Sequence, residues 1–321
     1  MRAARLVAPR RWEIVETPEP QAAPGRMLVR LQRSAVCGTD RPFYEGVGVS
    51  YPLSLGDPGH EAMGVVESCP SGEYQKGDLV LLWGFDRGLY QEYTLAPTRG
   101  CIRLPAELEP EVALMSQVLG TVVHCFYKLG NLIGEKAVVL GQGAVGLLFD
   151  AVLRNLGASQ IIAVDPLAYR LEVGRRMGAT HVVDPSRQDV EAVVREITGG
   201  DMADLVVEAV GRESTLNQCS RLVRRGGSAV YFGVPNKENP EGLMSLRFME
   251  MFTREVRLIT SVGPDPCRDY AVALDWIAQG RLDVRPLITH VLPFAQIQEG
   301  FAMAFDEPEK HRAVKVVLTF D

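Results

Sequence analysis

The sequence has 321 residues, 34 basic and 40 acidic side chains, a formal net charge of -6 and a mean hydropathy of +0.02. A chain of this length exceeds one ordinary hydrophobic core, so two domains are expected, and 46% hydrophobic with 23% charged residues excludes a disordered polymer. Acidic and basic residues interleave and leave no basic field, which excludes a nucleic-acid backbone as partner.

The opening segment, MRAARLVAPRRWEIVETP, carries basic residues but no continuous apolar region ending in a small-residue cleavage site, so a cytoplasmic location is expected. Six cysteines at 37, 69, 101, 125, 219 and 267 form no Cys-x-x-Cys pair, and in a reducing compartment disulfides would not persist. The longest uncharged apolar stretch, Val112 to Tyr127, is interrupted by Ser116, Gln117 and His124 and falls short of the roughly 20 residues that span a bilayer. It reads as a buried segment, and no membrane partner is expected.

From Leu6 to Leu104 short β-rich runs (MLVRLQRSAV, AMGVVES, DLVLLWG, YQEYTLAP) alternate with Gly, Pro and Asp punctuation, which predicts a small, largely antiparallel β domain. After Pro110 apolar runs alternate with amphipathic segments, as βαβ units require. The runs at 136–140, 160–165, 180–184, 203–210, 227–234 and 256–262 predict six strands of a doubly wound parallel sheet. Helices are predicted between them, one over VGLLFDAVLRNLG with Gly157 as its stop and one over LEVGRRMGA. The last sixty or so residues return to loop, helix and strand and close on AVKVVLTF.

After the first of these strands comes GQGAVG, in which Gly141, Gly143 and Gly146 form a G-x-G-x-x-G. The first glycine permits a tight turn, the second lets a pyrophosphate reach the backbone, and the third lets helix pack on strand. Ala144 and Val145 head the helix whose free N–H groups would face the phosphates. The second strand ends at Asp165, where a carboxylate would accept hydrogen bonds from the adenosine ribose and repel a 2'-phosphate. NAD(H) is therefore favoured over NADP(H), with Arg170 nearby as the contrary signal; the bland alternative is that Asp165 only starts a turn.

Cys37 lies in AVCGTD, and His60 with Glu61 follow in DPGHEAMG. Thiolate, imidazole and carboxylate are the donors zinc takes tetrahedrally, and a catalytic zinc keeps one position open. Singly, each has a plain structural explanation as core cysteine or satisfied polar group.

VCGTD, GHEAMGVVE, GDLVLL, GQGAVG, LVVEAVG and RPLITHVLPF stand in the order and spacing of the zinc-dependent medium-chain alcohol dehydrogenases, and the chain resembles that family along essentially its whole length. The resemblance implies a mainly β, GroES-like catalytic domain over 1–117 and 262–321 and a six-stranded Rossmann NAD-binding domain over 118–261. It implies zinc ligation by Cys37 and His60, with Glu61 as an exchangeable ligand, Asp40 holding the His60 ring, and the Thr39 hydroxyl on the substrate alcohol. The fixed ligand about two dozen residues before the glycine turn is usually Cys, Glu or Asp. Here Gln117 aligns, as in glucose dehydrogenases of the family, with a purely structural Gln as the alternative. His124 and Cys125 are wrongly spaced for that role and are assigned to packing, as are the remaining cysteines.

No four-cysteine cluster follows GDLVLL, so the structural-zinc lobe of many members is absent and one zinc is expected. The histidine that often relays the proton is missing from CGTDRPFY, which leaves water or Tyr44. A cleft between the domains is expected, with Tyr44, Trp83 and Phe85 as walls. The implied reaction is oxidation of a secondary alcohol, polyol or sugar-like substrate to a carbonyl, or the reverse. A zinc-free quinone or enone reductase and a non-catalytic NAD(H) sensor are the rivals. VRLITSV, as an edge strand, implies a homodimer or homotetramer.

Overall fold

The computed structural model describes residues 1–83, 87–235 and 241–320. The chain divides into two compact units, one of Met1–Thr121, Pro264–Gly280 and Ile288–Asp321, the other of Val122–Gly263 and Arg281–Leu287.

The first unit opens with an antiparallel hairpin, β1 (Arg2–Ala8) and β2 (Arg11–Glu16). There follow β3 (Arg26–Ala35), α1 (Arg41–Glu45), β4 (Ala62–Ser68), β5 (Leu79–Leu81), β6 (Tyr93–Pro97), β7 (Ile102–Arg103) and α2 (Pro110–Phe126), the helix in which the second unit begins. Alternate residues of β3, Met27, Val29 and Leu31, are buried, the two-residue period of a sheet with one core face. Gly64 of β4 sits so close to β3 that a Cβ there would lie 2.2 Å from the Arg30 carbonyl oxygen. Beneath the sheet Trp12, Tyr44, Tyr90 and Phe301 pack with ring centroids 4.8–5.7 Å apart.

The second unit contains β8 (Lys136–Leu140), α3 (Ala144–Asn155), β9 (Gln160–Val164), α4 (Ala168–Met177), β10 (His181–Val183), α5 (Val190–Ile197), β11 (Ala203–Glu208), α6 (Glu213–Leu222), β12 (Val223–Tyr231), α7 (Phe248–Thr253) and β13 (Arg257–Thr260). Its six strands are all parallel in the order β10-β9-β8-β11-β12-β13. This is a doubly wound sheet whose strand order reverses between β8 and β11. Strands β8, β9 and β11 are buried on both faces, which is why they read as unbroken apolar runs. Gly157, at φ +88, ends α3 as the sequence predicts, and the Asp189 carboxylate caps α5 by accepting from Glu191 and Ala192 N–H.

The chain returns to the first unit for β14 (Ile288–Pro293) and β15 (Lys315–Thr319), giving a seven-stranded sheet, β14-β15-β3-β4-β5-β7 with β6 also on β3. The β14–β15 pair is parallel, in a part of the chain beyond the Leu6–Leu104 stretch for which antiparallel pairing is expected. Two expectations shift. The strand expected at 227–234 is β12, which starts four residues earlier. Gly226, at φ +70, lies inside the strand instead of ahead of it, next to Gly227, whose Cβ would meet the Asp204 carbonyl oxygen at 2.8 Å. Residues 281–287, expected in the catalytic part, belong to the second unit, where Leu282, Val284 and Leu287 are buried and the segment touches α4.

Phe149 of α3 is fully buried between Phe126 and Phe232, with centroids at 5.5 and 5.1 Å. Phe149→Ala is expected to destabilise the second unit by about 3–5 kcal/mol, read as a lowered denaturant midpoint.

Candidate functional site

Register brings the first-unit residues together. Ser34 of β3 pairs with Ala62 of β4, and the Ala35 N–H donates to the Glu61 carbonyl at 2.9 Å, so the end of β3 and the start of β4 present Cys37, His60 and Glu61 side by side. Their sulfur, nitrogen and oxygen donors lie within 4.8 Å of one another. They are the one group of three such donors among the described residues.

His60 Nδ1 faces the Pro58 carbonyl at 3.1 Å and Asp40 Oδ1 at 3.2 Å. Both partners accept, so the proton belongs on Nδ1 and the Nε2 lone pair faces the cluster. Asp40 is itself held: Oδ2 accepts from the Tyr90 hydroxyl at 2.6 Å and from the Cys37 N–H at 2.9 Å. Thr39 Oγ1 stands 3.2 Å from both Cys37 Sγ and His60 Nε2. On the far side Lys315 of β15, as buried as its partner, contacts Glu61 Oε2 at 2.5 Å.

Burial opposes the His60 imidazolium, but the Cys37 thiolate and the Asp40 carboxylate outweigh it and raise His60 well above its ordinary value. Burial likewise opposes the Lys315 ammonium, and Glu61, with Cys37 and Asp40 behind it, holds that group above its usual value. With Cys37 as thiolate and the His60 imidazole neutral, the forms in which both bind a metal, three anionic groups face one buried ammonium, an excess of two charges that a divalent cation would neutralise. Donor types, spacing and charge therefore fit zinc.

Gln117 lies buried in α2, and its amide nitrogen donates to the Tyr270 hydroxyl at 3.3 Å. Gly120, one turn on, admits that tyrosine; a Cβ there would lie 2.3 Å from Tyr270 Cδ1. Tyr44 differs from expectation as proton carrier and wall. Its ring belongs to the aromatic core, its hydroxyl donates to Asp306 at 2.8 Å, and burial followed by that bond raises it far above the ordinary phenol value. Trp83 lies against Gly100, and Phe85 is outside the described residues. Cys101, Cys125 and Cys219 are buried, burial pushing the Cys125 thiol up to about 11.

In the second unit the glycine turn joins β8 to α3. Gly141 takes φ +91, and a Cβ on Gly146 would stand 1.8 Å from the Gly141 carbonyl oxygen, so strand and helix meet only through glycine. Gly143 caps α3 ahead of Ala144 and Val145, and no atom lies within 4 Å of its Cβ position, which leaves the open cradle a pyrophosphate needs. Asp165 is almost wholly buried. It accepts from the Gln142 N–H at 2.8 Å and the Leu167 N–H at 2.9 Å, with Arg170 Nη1 at 3.7 Å.

The description alcohol dehydrogenase GroES-like domain matches residues 23–106 and zinc-binding dehydrogenase matches residues 144–279, together more than half of the chain. The chain belongs to the zinc-dependent medium-chain alcohol dehydrogenase family. Within that family it is 26% identical over 333 residues to the L-threonine 3-dehydrogenase of Bacillus velezensis, covering 94% of each chain. An alcohol dehydrogenase from Thermus sp. ATN1 superposes with a TM-score of 0.87 at 27% identity, covering 99% of each chain. An alcohol dehydrogenase of Escherichia coli CFT073 in complex with NADH shares the fold, with a TM-score of 0.86 at 21% identity, covering 100% of this chain and 99% of that one. As a zinc-family dehydrogenase the protein acts on a CH–OH group. Among the described residues no helix is long and apolar enough to cross a membrane.

Sequence reasoning missed Lys315, Tyr90 and Glu208. A lysine inside AVKVVLTF was the available signal, because β15 is buried without a break from Lys315 to Leu318 and a charge there requires a buried partner. Glu208 ends β11 fully buried, and its Oε1 accepts from Val210 N–H, Gly211 N–H and Thr215 Oγ1 at 2.7–2.9 Å. Asp40→Ala removes the acceptor that orients His60 and is expected to weaken metal retention about 10- to 100-fold, measured by competition with a chelator.

Proposed function

We propose that this dehydrogenase holds one zinc ion on Cys37, His60, Glu61 and Gln117 and uses NAD(H) to oxidise a secondary alcohol, polyol or sugar-like alcohol, or to reduce the corresponding carbonyl. The observation that carries the reading is the convergence of thiolate, imidazole and carboxylate donors within 4.8 Å, backed by Asp40 and Lys315. Zinc bound there supplies a Lewis acid that favours the ionised form of a substrate hydroxyl. Gln117 offers its carbonyl oxygen, since its amide nitrogen is committed to Tyr270. Lys315 engages Glu61 Oε2 from the far side, so that Glu61 is a partly occupied ligand that yields to an incoming oxygen. Thr39 Oγ1, beside Cys37 Sγ and His60 Nε2, orients the substrate hydroxyl and takes its proton on towards water.

Gly141, Gly143, Ala144, Val145 and Gly146 hold the pyrophosphate, and Asp165 with Arg170 meets the adenosine ribose. The buried Asp165 carboxylate disfavours a 2'-phosphate, which is the ground for NAD(H) over NADP(H). A secondary alcohol is preferred because the threonine 3-dehydrogenase relative acts on one. β13 is an edge strand, and Phe248 and Phe252 of α7 are largely exposed with ring centroids 6.3 Å apart, which supports a homodimer or homotetramer closed through the second unit. All six cysteines are unbridged, in keeping with a cytoplasmic setting.

Atomic absorption on purified protein should give about one zinc per chain, and a panel of secondary alcohols should reduce NAD⁺ in preference to NADP⁺. A fully active metal-free enzyme would sink the metal assignment. Gln117→Ala should speed metal loss, and unchanged retention would mean another residue is the fourth ligand. Asp165→Ala should weaken NADH binding about tenfold in a fluorescence titration, the scale of losing charge-assisted hydrogen bonds; equal or tighter binding of NADPH by the wild type would overturn the ribose argument.

A further inference from the structure

The side chains of Gln142 and Asp150 are both fully buried in the second unit. Gln142 Nε2 and Oε1 and Asp150 Oδ1 and Oδ2 are shut from solvent and have no hydrogen-bond partner other than each other. Folded proteins rarely leave four such atoms unmatched in one place. The two groups are neighbours: a Cβ on Gly174 of α4 would stand 2.8 Å from Gln142 Oε1 and 3.6 Å from Asp150 Oδ2, with the Ala163 methyl also at 3.6 Å. Their chemistry is complementary. A carboxylic acid offers one O–H donor and one carbonyl acceptor, and a primary amide offers a carbonyl acceptor and N–H donors, so two reciprocal bonds use all four atoms.

We propose that Asp150 and Gln142 form a buried acid–amide pair beneath the glycine turn, and that Asp150 is thereby a positioning residue for the dinucleotide. An ionised Asp150 would leave Gln142 Oε1 without a donor and a charge in an apolar site. Burial accordingly pushes the Asp150 carboxyl well above the usual carboxylate range, with only Gln142 acting against it. The pair reaches the turn directly, because Gln142 stands between Gly141 and Gly143 and its backbone N–H is already held by Asp165 at 2.8 Å. Gln142 is thus gripped at its backbone by one carboxylate and at its side chain by the other. The glycine at 174 suits this arrangement, since a side chain there would displace the amide oxygen.

The inference rests on the dinucleotide reading of the turn, and NADH titration of the full-length protein separates the two. A wild type that binds neither NADH nor NADPH overturns both. Given wild-type binding, Asp150→Leu should weaken NADH about tenfold with zinc content unchanged, because Gln142 is left buried and unpaired. Asp150→Asn, which keeps a donor and an acceptor, should stay within about twofold, and Asp150→Leu with Gln142→Met should recover most of the loss, since both partners are then apolar. In steady-state kinetics Asp150→Leu should raise KM for the dinucleotide and leave kcat nearly unchanged. Should Asp150→Leu fail to fold, Gln142→Met alone carries the test by stranding the acid instead. Wild-type affinity in either single variant, or a double variant no better than Asp150→Leu, overturns the pair.

Discussion

The Ala35 N–H and the Ser34 hydroxyl both donate to the Glu61 carbonyl, at 2.9 and 3.0 Å, and the rest of the first unit's chemistry follows from that junction. It locks the end of β3 to the start of β4 in a register where a one-residue slip would turn the donors away from each other. The opposite edge of β3 receives β15, Val36 N–H donating to the Val316 carbonyl at 2.9 Å, and Lys315 comes against Glu61. Three stretches far apart in sequence thus meet at one corner of a sheet.

That corner concentrates charge where water is scarce. An isolated buried carboxylate or ammonium is costly, so Asp40, Glu61 and Lys315 are tolerable only as a connected set. Tyr90 extends the set by donating to Asp40 Oδ2 while its ring packs on Trp12 and Phe301, coupling the His60 orientation to the aromatic core. In the second unit the logic is different. There the backbone supplies the binding surface, and the buried carboxylates of Asp165 and Glu208 serve to hold loops at the carboxyl ends of β9 and β11.

The fold was largely legible beforehand because its signals are local. Apolar runs of strand length alternating with amphipathic segments specify the parallel sheet, and KAVVL followed by GQGAVG marks both the first strand and the turn. Errors arose where glycine carried two meanings, as at Gly226, and where residues 281–287 joined the other unit. Tyr44 illustrates the limit for the site: four residues from Asp40 in sequence, it turns into the core to meet Asp306.

By itself the sequence determined the chemistry available: a thiol, an imidazole and carboxylates at family spacing, a glycine turn after a strand, and the alternation that makes a doubly wound sheet. Only the tertiary structure decided which of those groups meet. Lys315 on Glu61, Tyr90 on Asp40 and Asp150 beside Gln142 depend on strand register and helix packing. Side-chain partners of buried polar groups are set by which backbones approach, and that is a global property that no local pattern encodes.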